Sequence, residues 1–370
     1  MNFNYSIEEE MLRDSVAQYV AAEARRPGRI DACAEHWPQF AELGWLGIGI
    51  SEQAGGYDGS LNDIMVINGV LGGALMREPY VGCAVLAPQV FLAAIGGENS
   101  GTFLRAAISG RRIWALANAE YEAAGEVRSI QTSATRDGAL YTLRGIKTAV
   151  LGGYHATDFL VAARTAGATD DPHGITLFAI PRESAGLTVR NYEMVDCSAI
   201  ADVILESVTV SADAVVGEPN MALGALETGT DIAIVASLFG VVGAMEKCVE
   251  LTNEYLRERK QFGGPLWNSQ VLRHRLADML VSLEHARSAA YRGLAGLYEE
   301  DPRSRARAVS SAKIVVSRGS RFVCGQAIQL HGGIGLTDEM AVSHLFKYAA
   351  VTCALFGSES HHVARLGSLM

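Results

Sequence analysis

The stretch RERKQFGGPLWNSQ, residues 257–270, gathers residue types that can do chemistry. Two arginines flank a glutamate, and an aromatic, a pair of glycines and a proline follow. A guanidinium forks onto phosphate oxygens, a ring stacks on a flat group, and glycine lets backbone come close. The same pattern also describes a helix C-terminus whose arginine answers the helix dipole. A second set lies in CALFGSESHHVARL, where Glu359 and the adjacent His361 and His362 follow Gly357. Neighbours in sequence do not share a helix face, so both histidines are expected on a surface or interface. GSES lacks the second glycine of a nucleophile elbow. Arginines at 303, 305, 307, 318 and 321 are of a kind that meets phosphates, but are expected to form a solvated face. There is no Walker loop and no GxGxxG after a strand. GGIG, residues 332–335, is too short for a dinucleotide fingerprint. Neither HExxH nor a paired-cysteine spacing occurs, so no metal is expected.

Three zones must position these residues. Up to about residue 112 the pattern is helical. Ser6 precedes Glu8, Glu9 and Glu10 as a cap with acids in the first turn, and Leu12, Val16, Tyr19 and Val20 fall on one face. An oily helix is expected over residues 61–76. From 113 to 217, β-branched and aromatic runs alternate with turn signals, and Asp137-Gly138 reads as a hairpin turn. That density of short strands predicts an antiparallel sheet or barrel. From 218 to 370 the chain is helical again. Gly229 and Thr230 are expected to open an oily helix, with Asp231 as a cap or a buried acid. Long helices are expected after Pro265 and from Ala306 to His331. The expected domains are therefore 1–112, 113–217 and 218–370, an α+β chain of helices, strands and helices.

The formal net charge is −10, which argues against a nucleic-acid partner. Six scattered cysteines read as free thiols of a reducing compartment. No signal peptide is visible, and the longest oily run, Ile232–Met245, is short of the roughly eighteen residues that span a bilayer. A cytoplasmic protein without a membrane span is expected.

Residues 257–279 resemble the ERxxFG…Q signature of the acyl-CoA dehydrogenase family. SIEEEMLRDSVAQYV, AELGWLGIGISEQAGGYDG, SATRDGALYTLRGIKTAVLGG, DVILESVTVSADAVVGE and QAIQLHGGIGLTDEM resemble further family segments in order. The resemblance covers nearly the whole chain. It implies an N-terminal helical domain, a middle antiparallel β-barrel or sheet, and a C-terminal four-helix bundle. It also implies FAD and an acyl-CoA substrate. In that family one subunit's FAD is held partly by its neighbour. The positions that reach across correspond here to Arg259, Phe262, Gln270, Gln329, Gly332 and Gly333, all of the family's residue types.

The resemblance also exposes departures. The family's base precedes a glycine, and that position is Phe356, which cannot accept a proton; Glu359 lies three residues on. Some members carry the base on the helix before ERxxFG, and that position aligns with Ala233; Asp231 is the nearest acid, with Glu227 beyond it. The family's Thr-Glu-Pro is Ala117-Asn118-Ala119, and its aromatic-x-Thr is Ala149-Val150-Leu151, so the hydroxyls expected to hold the flavin ring are missing. Three expectations follow. The chain is a base-lacking subunit that completes a homologous partner's FAD site, as in heteromeric members acting on bulky steroid-type thioesters. Or it is a self-sufficient homodimeric or homotetrameric dehydrogenase with a relocated base, Asp231 or Glu359. Or it is a flavin-dependent oxygenase of the same fold.

Overall fold

The computed structural model describes residues 5–23, 32–123 and 125–369. Helices α1 (Ile7–Glu23), α2 (Ala32–Glu42), α3 (Leu61–Gly73) and α4 (Ala87–Ile108) come first, with a π-helical turn at Tyr80–Leu86 leading into α4. Strands follow: β1 (Trp114–Ala117), β2 (Ser133–Asp137), β3 (Leu140–Leu151), β4 (Asp158–Arg164), β5 (Ile175–Pro181), β6 (Leu187–Glu193), β7 (Ala199–Ser211) and β8 (Val215–Val216). Then come α5 (Leu223–Glu258), the two-residue strands β9 (Lys260–Gln261) and β10 (Gly264–Pro265), α6 (Gln270–Leu297), α7 (Pro302–His331), α8 (Ala341–Ala354) and α9 (Glu359–Leu369).

The chain divides into two compact units, residues 29–64 with 77–233, and residues 1–28 with 65–76 and 234–370. Helices α3 and α5 each run from one unit into the other. The first unit holds a sheet of order β6-β7-β3-β2-β4-β5-β8, with β1 parallel to β4. Most other pairs are antiparallel, and Asp137-Gly138 makes the expected β2–β3 hairpin, Asp137 pairing Leu140. Strands β4 and β5 are almost wholly buried, as their Val, Ile, Leu and Phe content requires.

In the second unit, α1 opens on a reciprocal capping box. The Ser6 hydroxyl accepts from Glu9 N at 3.1 Å, and the Glu9 carboxylate accepts from Ser6 N at 2.8 Å. Helices α3 and α5 cross at glycines. A Cβ on Gly72 would sit 2.4 Å from Gly240 O, and one on Gly243 would sit 2.0 Å from Gly69 O. Asn68 Nδ2 donates to Ala236 O at this crossing. Helix α6 turns Leu276, Met279, Leu283, Ala286 and Ala290 inward against α7, at the spacing of one helix face. Asp301 caps α7, its carboxylate accepting from Arg303 N and Ser304 N.

The expected start of the oily helix is corrected. Helix α5 begins at Leu223, not at Gly229 or Thr230, and the Thr228 hydroxyl donates back to Gly224 O at 2.8 Å inside it. Asp231 is therefore a helix-interior residue, not a cap. Helix α5 is the one described helix long and apolar enough to cross a membrane, and 89% of that apolar window is buried within the protein. Helix α3 stops at Gly73, short of the expected Met76, where Leu75 takes a left-handed φ of 58°.

Candidate functional site

Helices α5 and α7 run parallel in a fixed register. Cys248 Sγ lies 3.8 Å from Cys324 Sγ, and seven residues further along each helix the Tyr255 ring stacks on His331 at 4.4 Å. The Tyr255 hydroxyl donates to His331 O at 3.3 Å. This seam brings the two helix C-termini out at the same end. Arg259 lies just past the end of α5, and Gln329, Gly332 and Gly333 lie at the end of α7. Most of the residues picked out by motif are thus gathered on one exposed end of one unit.

The geometry of that end is open. Arg259 and Gln329 are exposed, and the Arg259 guanidinium makes no ion pair among the described residues. Leu266 N donates to Arg259 O at 2.8 Å, closing a β9–β10 hairpin whose loop is Phe262-Gly263. Both loop residues are left-handed, at φ 53° and 88°. Two-residue hairpins favour this conformation, but it strains a bulky residue such as phenylalanine. Phe262 is nevertheless fully exposed, at 101%. Gln270 is the exposed first residue of α6. Gly332 caps α7 at φ 67°, which explains one glycine. Gly333 has no such φ, and a Cβ there would meet nothing within 4 Å. The chain's own packing thus leaves Gly333 unexplained. An unpaired guanidinium, an open glycine bend and a bare ring can meet a phosphate-bearing, flat ligand.

The C-terminal set is built differently. Loop 355–358 joins α8 to α9, with Phe356 left-handed at φ 58°. Lys313, wholly buried on α7, donates through Nζ to Thr352 O and Leu355 O at 3.1 and 3.0 Å. Burial, eased by the nearby Cys353, brings its pKa down to about 8. The expectation of two surface or interface histidines is corrected for His362, which is wholly buried. Its Nε2 donates to Phe356 O at 3.1 Å, and its Nδ1 accepts from the Ser310 hydroxyl at 3.2 Å. Burial, then Lys313 and His361, push the imidazole pKa down to about 3. Helix α9 starts at Glu359, whose carboxylate accepts from Arg318 Nε at 2.7 Å and lies 3.6 Å from Arg321. Glu359 is therefore engaged by two of the arginines expected to form a solvated face, both of which are exposed.

The other unit holds the remaining positions. Thr148 N donates to Ala119 O at 2.9 Å and Lys147 Nζ to Asn118 O at 3.3 Å, so residues 117–119 and 149–151 are brought together. Neither segment carries a hydroxyl. Beneath them the fully buried Lys147 pairs with Glu120 at 2.6 Å. Burial lowers the Lys147 pKa to about 8, with Glu120 opposing. Gly82 of the π-helical turn packs so closely on Leu151 that a Cβ would sit 2.8 Å from its Cβ and its carbonyl oxygen. Asp231 is buried in the third turn of α5. Sequence reasoning missed the Tyr255–His331 stack, Lys313 and the role of His362. The only signal for the first was an aromatic residue shortly before each motif.

Comparison with known proteins follows the same order of elements. Residues 6–92, 115–208 and 232–368 match the N-terminal, middle and C-terminal domain models of acyl-CoA dehydrogenases. The chain belongs to the acyl-CoA dehydrogenase family, whose members are FAD-dependent oxidoreductases of β-oxidation. Among particular relatives, the probable acyl-CoA dehydrogenase YngJ of Bacillus subtilis (strain 168) is 26% identical over 359 residues, 94% of each chain. A variant of the Tcur3481–Tcur3483 steroid ACAD superposes with a TM-score of 0.84 at 25% identity, covering 98% of this chain and 97% of that one. The ChsE4–ChsE5 complex from Mycobacterium tuberculosis gives 0.86 at 23% identity, covering 100% and 98%.

Proposed function

We propose that this chain is the base-lacking subunit of a hetero-oligomeric, FAD-dependent acyl-CoA dehydrogenase, and that it completes the FAD site of a homologous partner. The assembly removes the elements of hydrogen from the α and β carbons of an acyl-CoA thioester. FAD, when bound, supplies the hydride acceptor for the β carbon; a carboxylate must take the α proton. Arg259 neutralises the dinucleotide's phosphates, and the Gly332-Gly333 bend admits its close approach. Phe262, Gln270 and Gln329 line the same contact.

The observation that carries this reading is an asymmetry. The outward-facing end at Arg259 and Gly333 is open and unpaired, while the position that the resemblance gives to the base holds Phe356, and residues 117–119 and 149–151 offer no hydroxyl. The likeness to a steroid ACAD supports a bulky thioester as substrate. The test is flavin absorbance and solution size of the purified chain, alone and co-expressed with a homologous acyl-CoA dehydrogenase subunit. Colourless protein alone and yellow protein in the pair is the expected result. Stoichiometric flavin on the isolated chain, with turnover, overturns it.

One observation favours a second reading, a self-sufficient enzyme. Asp231 is a buried carboxylate on α5, two residues from the position aligned with the alternative base. That reading requires Asp231→Asn to abolish turnover of the isolated chain.

A further inference from the structure

The β9–β10 hairpin that carries Arg259 and Phe262 has little to hold it. Each strand is two residues long, and both are exposed or half-exposed. An isolated hairpin of that length is not stable in water. Its loop is also conformationally costly, because Phe262 is left-handed. Something outside the hairpin must fix it.

That anchor is a stack. The Arg257 guanidinium lies over the Trp267 ring, 4.1 Å from its centroid. Arg257 is in the last turn of α5, and its Nε donates to Asn253 Oδ1 at 3.0 Å, one turn back. Trp267 sits in the 3-10 turn Leu266–Asn268, directly after β10. The stack therefore joins the rigid helix on one side of the hairpin to the segment on the other. Trp267 is half-exposed and belongs to no buried core. Its neighbour Leu266 provides the amide that closes on Arg259 O at 2.8 Å. The two arginines thus have different tasks: Arg257 lies across the indole, and Arg259 stays free.

We propose that Trp267 is a positioning residue for the dinucleotide contact: its stack on Arg257 holds the hairpin in the one arrangement that presents Arg259 and Phe262 together. This rests on the reading of the Arg259 end as an FAD contact. The hairpin is ordered before FAD arrives, so its ordering cost is met in the free chain rather than at binding. Loss of a partly exposed cation–π contact of this kind weakens FAD binding about two- to fivefold.

The experiment uses the assembled flavoprotein and FAD itself as probe. FAD dissociation constants are measured for the unmodified protein, Trp267→Ala, Trp267→Phe, Arg257→Gln, the Trp267→Ala/Arg257→Gln double variant, and Arg259→Gln as reference. Trp267→Ala and Arg257→Gln are each expected to raise the constant by about two- to fivefold. The double variant is expected to be no worse than either single, because one shared contact is removed. Trp267→Phe, which keeps a ring under the guanidinium, restores most of the loss, and the thermal midpoint measured without FAD is unchanged throughout. In the free chain, trypsin cuts after Lys260 faster in Trp267→Ala than in the unmodified protein. Lowered affinity in Arg259→Gln with an unmodified constant in both Trp267→Ala and Arg257→Gln overturns the positioning role alone. An unmodified constant in Arg259→Gln overturns the FAD reading of this end, and the role of Trp267 with it. Additive losses in the double variant, or no rescue by phenylalanine, also overturn the stack.

Discussion

His362 is an imidazole held neutral by its surroundings. It accepts from the Ser310 hydroxyl and donates to Phe356 O, so both nitrogens are satisfied in the neutral ring. Lys313, His361 and Arg365 face it with positive charge, and its pKa falls from 6.5 to about 3. The unfolded chain therefore binds this proton first as pH falls. The stabilising contribution is complete above pH 6.5 and is lost as pH drops toward 3. The loss at the acid end is on the order of 3–5 kcal/mol. Urea unfolding from pH 7 to pH 4 should show stability falling with pH, and His362→Gln should flatten that slope. A slope unchanged in His362→Gln would reassign the effect to another group. Glu359 makes the contrasting case. Its two arginine partners are mostly exposed, so Glu359→Gln should cost under about 1 kcal/mol. It should also leave the flavin content and turnover of the assembly intact, since the carboxylate is occupied by Arg318 and Arg321. Loss of turnover in that variant would restore Glu359 as the relocated base.

At the scale of elements, the α3–α5 crossing decides how closely two helices approach. Gly72 and Gly243 face carbonyl oxygens, which are backbone and cannot step aside. Gly72→Ala or Gly243→Ala should destabilise by about 1–3 kcal/mol or more. Gly367→Ala on α9, where nothing lies within 4 Å, should instead stabilise by roughly 0.5–1 kcal/mol. Denaturant midpoints of the three variants check both signs. The same helices show which elements can be read from residue order. The α1 cap and the Asp137-Gly138 hairpin were legible because their signals are local: a side chain bonding three residues away, and a turn between alternating runs. The start of α5 was not, because Gly224 and Gly229 look like breakers, and only burial of the surrounding face makes a helix there. The π-helical turn at Tyr80–Leu86 left no periodic trace. Its Gly82 packs closely on Leu151, a contact between residues far apart in the chain.

For the whole molecule, the same distinction between local and distant causes separates the site's two halves. Motif residues Arg259, Phe262, Gln329 and Gly332-Gly333 were legible as types, but their common location depended on the register of α5 against α7, set by Cys248–Cys324 and Tyr255–His331. His362 was misread as a surface residue because adjacency says nothing of depth. If this chain contributes the Arg259 end but holds no flavin of its own, a consequence for stoichiometry follows. A homo-oligomeric dehydrogenase carries one flavin for every chain, since each chain both holds one and completes another. A pair in which one chain only completes its partner's site carries one flavin for every two chains. Absorbance near 450 nm against protein concentration, with native mass, is expected to give that halved ratio in the co-expressed assembly. Arg259→Gln in this chain should then lower the flavin content of the partner's site while leaving the native mass unchanged. The corresponding change made in the partner chain should have no effect on flavin, because it would face the hydroxyl-free segments 117–119 and 149–151. A ratio of one flavin per chain would mean those segments hold the ring after all, through backbone groups or the Asn118 amide.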